Sequence, residues 1–201
     1  NEYVPNLATA YKWVDSKTLE FDLRRGVKFH NGEKFDADDV VFTMNYIGNP
    51  DNGAKPARNV NWWENAEKLG EYKVRLKLKK EFPAALEFLS GPLVMYPNEY
   101  YAKVGPEGMA LKPVGTGPYA VTSVEPGKRY KFKKYDGYHN GSPKGKANIG
   151  NIVIRTIAES NTQLAELFSG GIDWIWKVKP DQAERIGAQG AFTVKNSSTM
   201  R

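Results

Sequence analysis

Phe21-Asp-Leu-Arg-Arg-Gly-Val-Lys-Phe-His-Asn-Gly-Glu-Lys-Phe-Asp-Ala-Asp-Asp-Val-Val-Phe42 holds a strand, a tight turn, a helix cap and a helix start within 22 residues. Leu19, Phe21 and Leu23 alternate with Glu20, Asp22 and Arg24, the period of two that marks a half-buried strand. Asn31-Gly32 tolerates the positive φ of a type I′ turn and predicts a tight reversal after Phe29. Asp36 is placed to cap a helix, with Asp38 and Asp39 in the first turn, where the helix dipole favours negative charge. Val40, Val41, Met44 and Ile47 supply an apolar face, and Gly48 with Pro50 stops the helix.

Working outward, 201 residues suffice for one good-sized domain or two small ones, burying on the order of 70% of the unfolded surface. The net charge of +6 and pI near 9.3 come from Lys and Arg spread along the chain without a block. That dispersion favours solubility over a nucleic-acid footprint. Cysteine is absent, which excludes a disulfide framework, a thiolate metal site and a Cys nucleophile. No apolar run approaches the roughly 18 residues of a membrane span.

Along the chain, residues 49–61 are rich in Gly, Pro, Asn and charge and predict a surface loop, interrupted by Trp62-Trp63. Tyr72, Val74, Leu76 and Leu78 alternate with basic residues as a strand. Pro83 suits the start of a short helix ending near Ser90 and Gly91, with a strand expected over residues 93–96. Pro113 to Pro118 is a break. Strands are expected over residues 119–124 and 129–134, joined at Pro126-Gly127, and again from Ile152. Ser160-x-x-Gln163 predicts a capping box ahead of a helix that ends at Gly170-Gly171. Alternation over residues 172–178 then gives strand, helix, strand, a βαβ unit, before a helix opened by Pro180 and a strand near residues 192–194.

The opening stretch resembles the signature of the bacterial extracellular solute-binding proteins of family 5, the oligopeptide, dipeptide and nickel binding proteins of ABC importers. Their segment runs roughly Phe-x-Leu-Arg-x-Gly-Val-Lys-Phe-His-Asp-Gly-x-x-Phe-x-Ala-x-Asp-Val-x-Phe. Phe21, Leu23, Arg24, Gly26 to His30, Gly32, Phe35, Ala37, Asp39, Val40 and Phe42 match it, with Asn31 in place of the usual Asp. Further landmarks follow in order: Pro113-Val-Gly-Thr-Gly-Pro-Tyr119, which contains Gly115, Thr116, Gly117 and Pro118, then Tyr135-Asp-Gly-Tyr138, Ile152-Val-Ile-Arg155 and Gly170-Gly-Ile-Asp173. The resemblance implies a mixed α/β lobe of the type II periplasmic binding protein kind. Residues 1–40 with 114–201 would form the core of the first lobe, residues 41–113 an inserted α+β sub-domain, and Pro113 to Pro118 the crossing between them. It also implies a longer parent protein, with a strand and loop ahead of Asn1 and a second lobe beyond Arg201.

Chemistry is sparse. His30 and His139 stand in no metal-ligand spacing, and Asp36, Asp38 and Asp39 lack the pattern of a calcium loop. Gly115 to Tyr119 lacks the Lys-Ser/Thr of a phosphate loop. Lys128 to Tyr135 interleaves base and aromatic, as an amphipathic edge strand also does. No catalytic group, metal, cofactor or nucleic-acid partner is therefore expected. Trp62 and Trp63 read either as a lid over core or as a ligand wall, and Trp174 and Trp176 either as core or as a pocket edge. In relatives an Arg-x-x-Trp segment contributes to the ligand chamber, and Arg58 to Trp62 is the nearest match here. The chamber's other contributor maps to residues 91–95, with Gly91, Pro92 and Leu93 uncharged. The resemblance implies a periplasmic or lipid-anchored protein outside the cytoplasmic membrane that hands peptides or a similar small solute to an ABC permease. Nickel chelates, haem, glutathione and oligosaccharides are further ligands of the fold, and a carboxylate hydrolase is the alternative from another class. Exposed sheet edges predict homodimers of this chain.

Overall fold

Three apolar side chains at period two and a matching run at Val74, Leu76 and Leu78 decide the central sheet. In the computed structural model, which describes residues 2–54, 56–91 and 93–196, these runs become β2 (Thr18–Leu23) and β4 (Lys73–Leu78). They pair antiparallel with Leu19 opposite Leu76 and Phe21 opposite Val74. Glu20 faces Arg75 in that register, and its carboxylate accepts from the guanidinium at 2.6 Å and 3.1 Å. With β1 (Ala8–Asp15) and β3 (Trp63–Gly70) they form a four-stranded sheet in the order β1-β2-β4-β3.

The turn after β2 is built differently from the type I′ expectation. The Gly32 N–H donates to Phe29 O at 2.9 Å and the Phe29 N–H to Glu33 O at 2.8 Å. Within residues 29–33 positive φ is needed at Gly32 alone, +91°, and Asn31 stays out of the left-handed region. Helix α1 (Ala37–Gly48) then starts at the predicted cap. Asp36 accepts from the Asp38 N–H while Asp39 accepts from the Asp36 N–H, a reciprocal capping box.

α1 lies against β3, and the match is specific. The β3 strand carries a register shift between Trp63 and Asn65, so Trp63 and Ala66, three residues apart, are both buried. The Asn45 side-chain amide serves the Ala66 backbone, accepting from its N–H at 2.7 Å and donating to its O at 3.0 Å. Trp63, 1% exposed, donates its indole N–H to Met44 O at 3.0 Å. A Cβ at position 48 would stand 2.5 Å from that indole nitrogen, which is why glycine ends α1.

The core beneath this sheet runs without interruption from Leu19 through Phe29, Phe35, Val40, Trp62 and Leu76 to Ala85. No break in sheet or core falls at residue 41, where the inserted sub-domain was expected to begin, because β3 and β4 hydrogen-bond into the sheet that β1 and β2 start.

Helix α2 (Ala85–Ser90) begins two residues after Pro83, and α3 (Asn98–Leu111) is bent at Gly105, ahead of Pro106. Residues 93–96 form no strand: the Tyr96 backbone is taken by the Thr43 hydroxyl, which accepts from its N–H at 2.9 Å. Beyond the 113–118 break, β5 (Tyr119–Glu125), β6 (Arg129–Lys134) and β7 (Asn151–Arg155) form a separate three-stranded sheet in sequential order.

The chain divides into two compact units, Asn1–Ile154 and Arg155–Arg201. The second holds α4 (Ser160–Phe168) and α5 (Pro180–Ala188). The expected capping box at Ser160 is absent. Glu159 is the N-cap, Ser160 is already helical, and Gln163 instead donates to Ile157 O at 2.6 Å. The second strand of the βαβ unit is also absent. Ile172, Ile175 and Val178 pack at a spacing of three against Leu164, Leu167 and Ile186, and Lys177 adopts a positive φ of 57°, which breaks any extended run. Residues 192–194 are not a strand either; Phe192 packs on the same cluster.

Trp63→Phe removes the indole bond to Met44 O and part of the ring. The expected cost is about 2 kcal/mol, measured by urea unfolding of both proteins.

Candidate functional site

The signature residues meet in a backbone junction. His30, predicted to be structural, is clasped by the 113–118 segment. Its N–H donates to Gly115 O at 2.9 Å, its Nδ1 accepts from the Gly115 N–H at 3.3 Å, and its Nε2 lies 2.9 Å from Gly117 O. That pattern needs the neutral ring with the proton on Nε2. Burial lowers the ring's proton affinity, which favours the neutral form. Tyr135 packs edge-on at 4.9 Å and donates to Phe29 O at 3.2 Å. Arg24 ties the leading segment down, donating to Asn6 O at 2.6 Å and to Gly141 O at 3.0 Å. Tyr119 donates to Ile149 O at 3.0 Å. These residues hold backbone to backbone.

Beside the junction, and inside the first unit, lies a cleft of about 880 Å³. Residues 2–11 form one side, the sheet face with Phe21, Val74 and Leu76 the floor, and α2 with Gly91, Leu93, Val94 and Met95 the far wall. Val40 and Met44 of α1 complete the floor. The surface is mostly apolar, with Glu2, Arg75, Glu87 and Lys144 as its charged groups. Such a lining grips apolar side chains and leaves orientation to a few polar contacts.

Of the predicted ligand residues, Gly91 and Leu93 line this cleft, whereas Pro92 lies outside the described residues. Trp62 and Trp63 resolve to core. Both are buried, Trp62 donates to Asn59 O at 2.9 Å, and its ring packs 4.8 Å from Phe82. Arg58 is exposed on a short 3-10 turn, away from the cleft lining. Trp174 and Trp176 are 71% and 57% exposed and meet edge to face at 5.2 Å, on irregular chain rather than a strand. Among the described residues no cluster of three or more His, Asp or Glu side chains converges as a metal site. The sequence reading missed the floor contributed by Val40 and Met44 and the side contributed by residues 2–11. Nothing in their local pattern separates a cleft-lining apolar residue from a core one.

Over residues 2–201 the chain matches the model of the bacterial extracellular solute-binding proteins, family 5 Middle, and it belongs to that family. It is 32% identical over 174 residues to the glutathione-binding protein GsiB of Salmonella paratyphi A, covering 84% of this chain and 32% of that protein. It is 27% identical over 177 residues to the oligopeptide-binding protein AppA of Bacillus subtilis, with 84% and 32% covered. The chain thus spans about a third of the length of these relatives. Among solved structures, NikA from Brucella suis in complex with Fe(III)-EDTA superposes with a TM-score of 0.78 at 30% identity, covering 94% of this chain and 39% of that one. The mixed α/β fold and the family resemblance predicted from the signature are both upheld.

Asp39 offers a test of the junction between α1 and α3. Burial pushes its carboxyl up to about 6 from 3.8, against backbone donors at Asn98 and Asp36 that favour the charged form. The folded state therefore holds the proton more tightly than the unfolded chain, and this group's contribution to stability falls as pH rises from about 4 through about 6. The stability difference between wild type and Asp39→Asn should decline across that window and level off above it, as read by urea unfolding at stepped pH. His30 contributes with the opposite sign, but it is present in both proteins and cancels.

Proposed function

We propose that this chain is part of the solute-binding component of an ABC importer, which captures peptides or a similar small solute outside the cytoplasmic membrane and delivers it to the permease. The observation that carries the reading is the family match over residues 2–201. Relatives named for glutathione and for oligopeptides support the solute class. The apolar cleft beside the signature junction supports it too, because its size suits side chains of a short peptide. The protein makes and breaks no bond in this reading. Solute binds between two lobes, hinge closure buries it, and the closed form is what the permease recognises. Gly91 and Leu93 are the contacts proposed from the first unit; the exposed pair Trp174 and Trp176 of the second unit is proposed on its own as an aromatic surface open to solute.

The test is calorimetry on the exported full-length gene product, recovered from osmotic-shock fluid, with glutathione and with peptides of increasing length. Binding at micromolar or tighter affinity by at least one of these is expected. A cytosolic product, or one that binds none of them, overturns the reading. The 201-residue chain alone should bind the same solute far more weakly, since it lacks the closing contacts.

Self-association of the isolated chain is supported by Val153 and Ile154, which are exposed on β7, an edge strand of its sheet. Sedimentation should give a concentration-dependent mass, and a clean monomer at high concentration would count against it.

A further inference from the structure

Asp39 and Thr43 lie one turn apart on α1, and both are buried, at 3% and 0% exposure. Their neighbours Val40 and Met44 line the cleft floor, yet they themselves face elsewhere. The Asp39 carboxylate accepts from the Asn98 N–H at 2.9 Å. The Thr43 hydroxyl accepts from the Tyr96 N–H at 2.9 Å and points its own proton toward Tyr96 O at 3.5 Å. Pro97 between these two anchor points is fully buried. Residues 93–97 belong to no helix or strand, so no backbone ladder fixes them. Immediately before the anchor stand Leu93, Val94 and Met95, which form the far wall of the cleft.

We propose that Asp39 and Thr43 are positioning residues for solute binding, setting the place of the Leu93–Met95 wall relative to the floor that Val40 and Met44 provide. A single helix then holds both surfaces. The floor is attached through two side chains and the wall through the two residues next to them. The width of the cleft, and hence the bulk of side chain it admits, follows from those hydrogen bonds. An unmade bond at Tyr96 would leave a buried donor unsatisfied, and the wall would shift to find it a partner. The proposal rests on the solute-binding reading for its biological meaning, but the geometry it asserts is measurable without a solute.

The experiment compares the wild-type chain with Thr43→Val, which keeps the shape and removes the hydroxyl, and with Thr43→Ser, which restores it. Amide exchange is read at Tyr96, and cleft geometry through titration with the apolar dye 8-anilinonaphthalene-1-sulfonate. In a Thr43→Val protein with unchanged circular dichroism, exchange at Tyr96 should accelerate at least about tenfold and dye affinity should change at least about threefold. Thr43→Ser should recover both. Unchanged dye affinity in folded Thr43→Val, or a Tyr96 amide unprotected in wild type, overturns the proposal. Should Thr43→Val fail to fold, Asp39→Asn is read in the same way, with exchange followed at Asn98. A full-length protein that binds neither glutathione nor peptide while its wall still answers to position 43 would sink the transport reading alone. Solute binding indifferent to position 43 would sink the positioning role alone.

Discussion

The imidazole of His30 is the contact on which the first unit depends. Its ring meets the backbone of Gly115 and Gly117, and so fastens the turn after β2 to the break ahead of β5, 85 residues further along. The two sheets share no strand; what joins them here is the His30 ring bonded to main chain, beside the His30 N–H bonded to Gly115 O, with Tyr135 closing the other side through Phe29 O. A ring in this place must both accept and donate, which neutral imidazole does and neither Lys nor Phe can. The signature His and the Gly-Thr-Gly segment, separate motifs in the sequence, are thus the two halves of one junction.

What could be read in advance follows from how local each cause is. β2, β4 and α1 announced themselves because their apolar side chains keep a fixed period and Asp36 caps within its own turn. β3 escaped because its bulge places the buried Trp63 and Ala66 three residues apart. α3 went unpredicted because Gly105 and Pro106 interrupt its pattern, and the strand at residues 93–96 was wrong because the Tyr96 backbone is satisfied by Thr43, 53 residues away, a contact no window on the sequence contains. The site was less legible than the fold. Family likeness pointed to Gly91 and Leu93, which line the cleft, while Trp62 and Trp63 stayed open between a lid over core and a ligand wall because an aromatic pair in a loop gives no sign of the core that closes over it.

The second unit makes a different use of its apolar residues. Its buried cluster is small, with Leu164, Leu167 and Ile186 at the centre and Ile172, Ile175, Val178 and Phe192 around it. Spending every third residue of 172–178 on that cluster turns Trp174 and Trp176 outward, so the same spacing that builds the core creates the exposed aromatic pair. The Arg155 guanidinium grips Glu166 of α4 at 2.8 Å and 3.1 Å, and holds the Glu166 carboxyl below its usual range. An exposed pair of this kind adds little to stability, so the unit relies mainly on its few apolar contacts.

Gly48 and Trp63 form a lock whose two parts cannot change independently. The indole fills the space that any side chain at position 48 would need, and its N–H holds the carbonyl of Met44, one turn earlier on the same helix. Viewed as a history of substitutions, this makes the order of change matter: a larger residue at position 48 becomes tolerable only after position 63 has become smaller, whereas the reverse path passes through a clash. The helix end and the strand start are therefore coupled in any series of substitutions as well as in space, although neither residue lines the cleft.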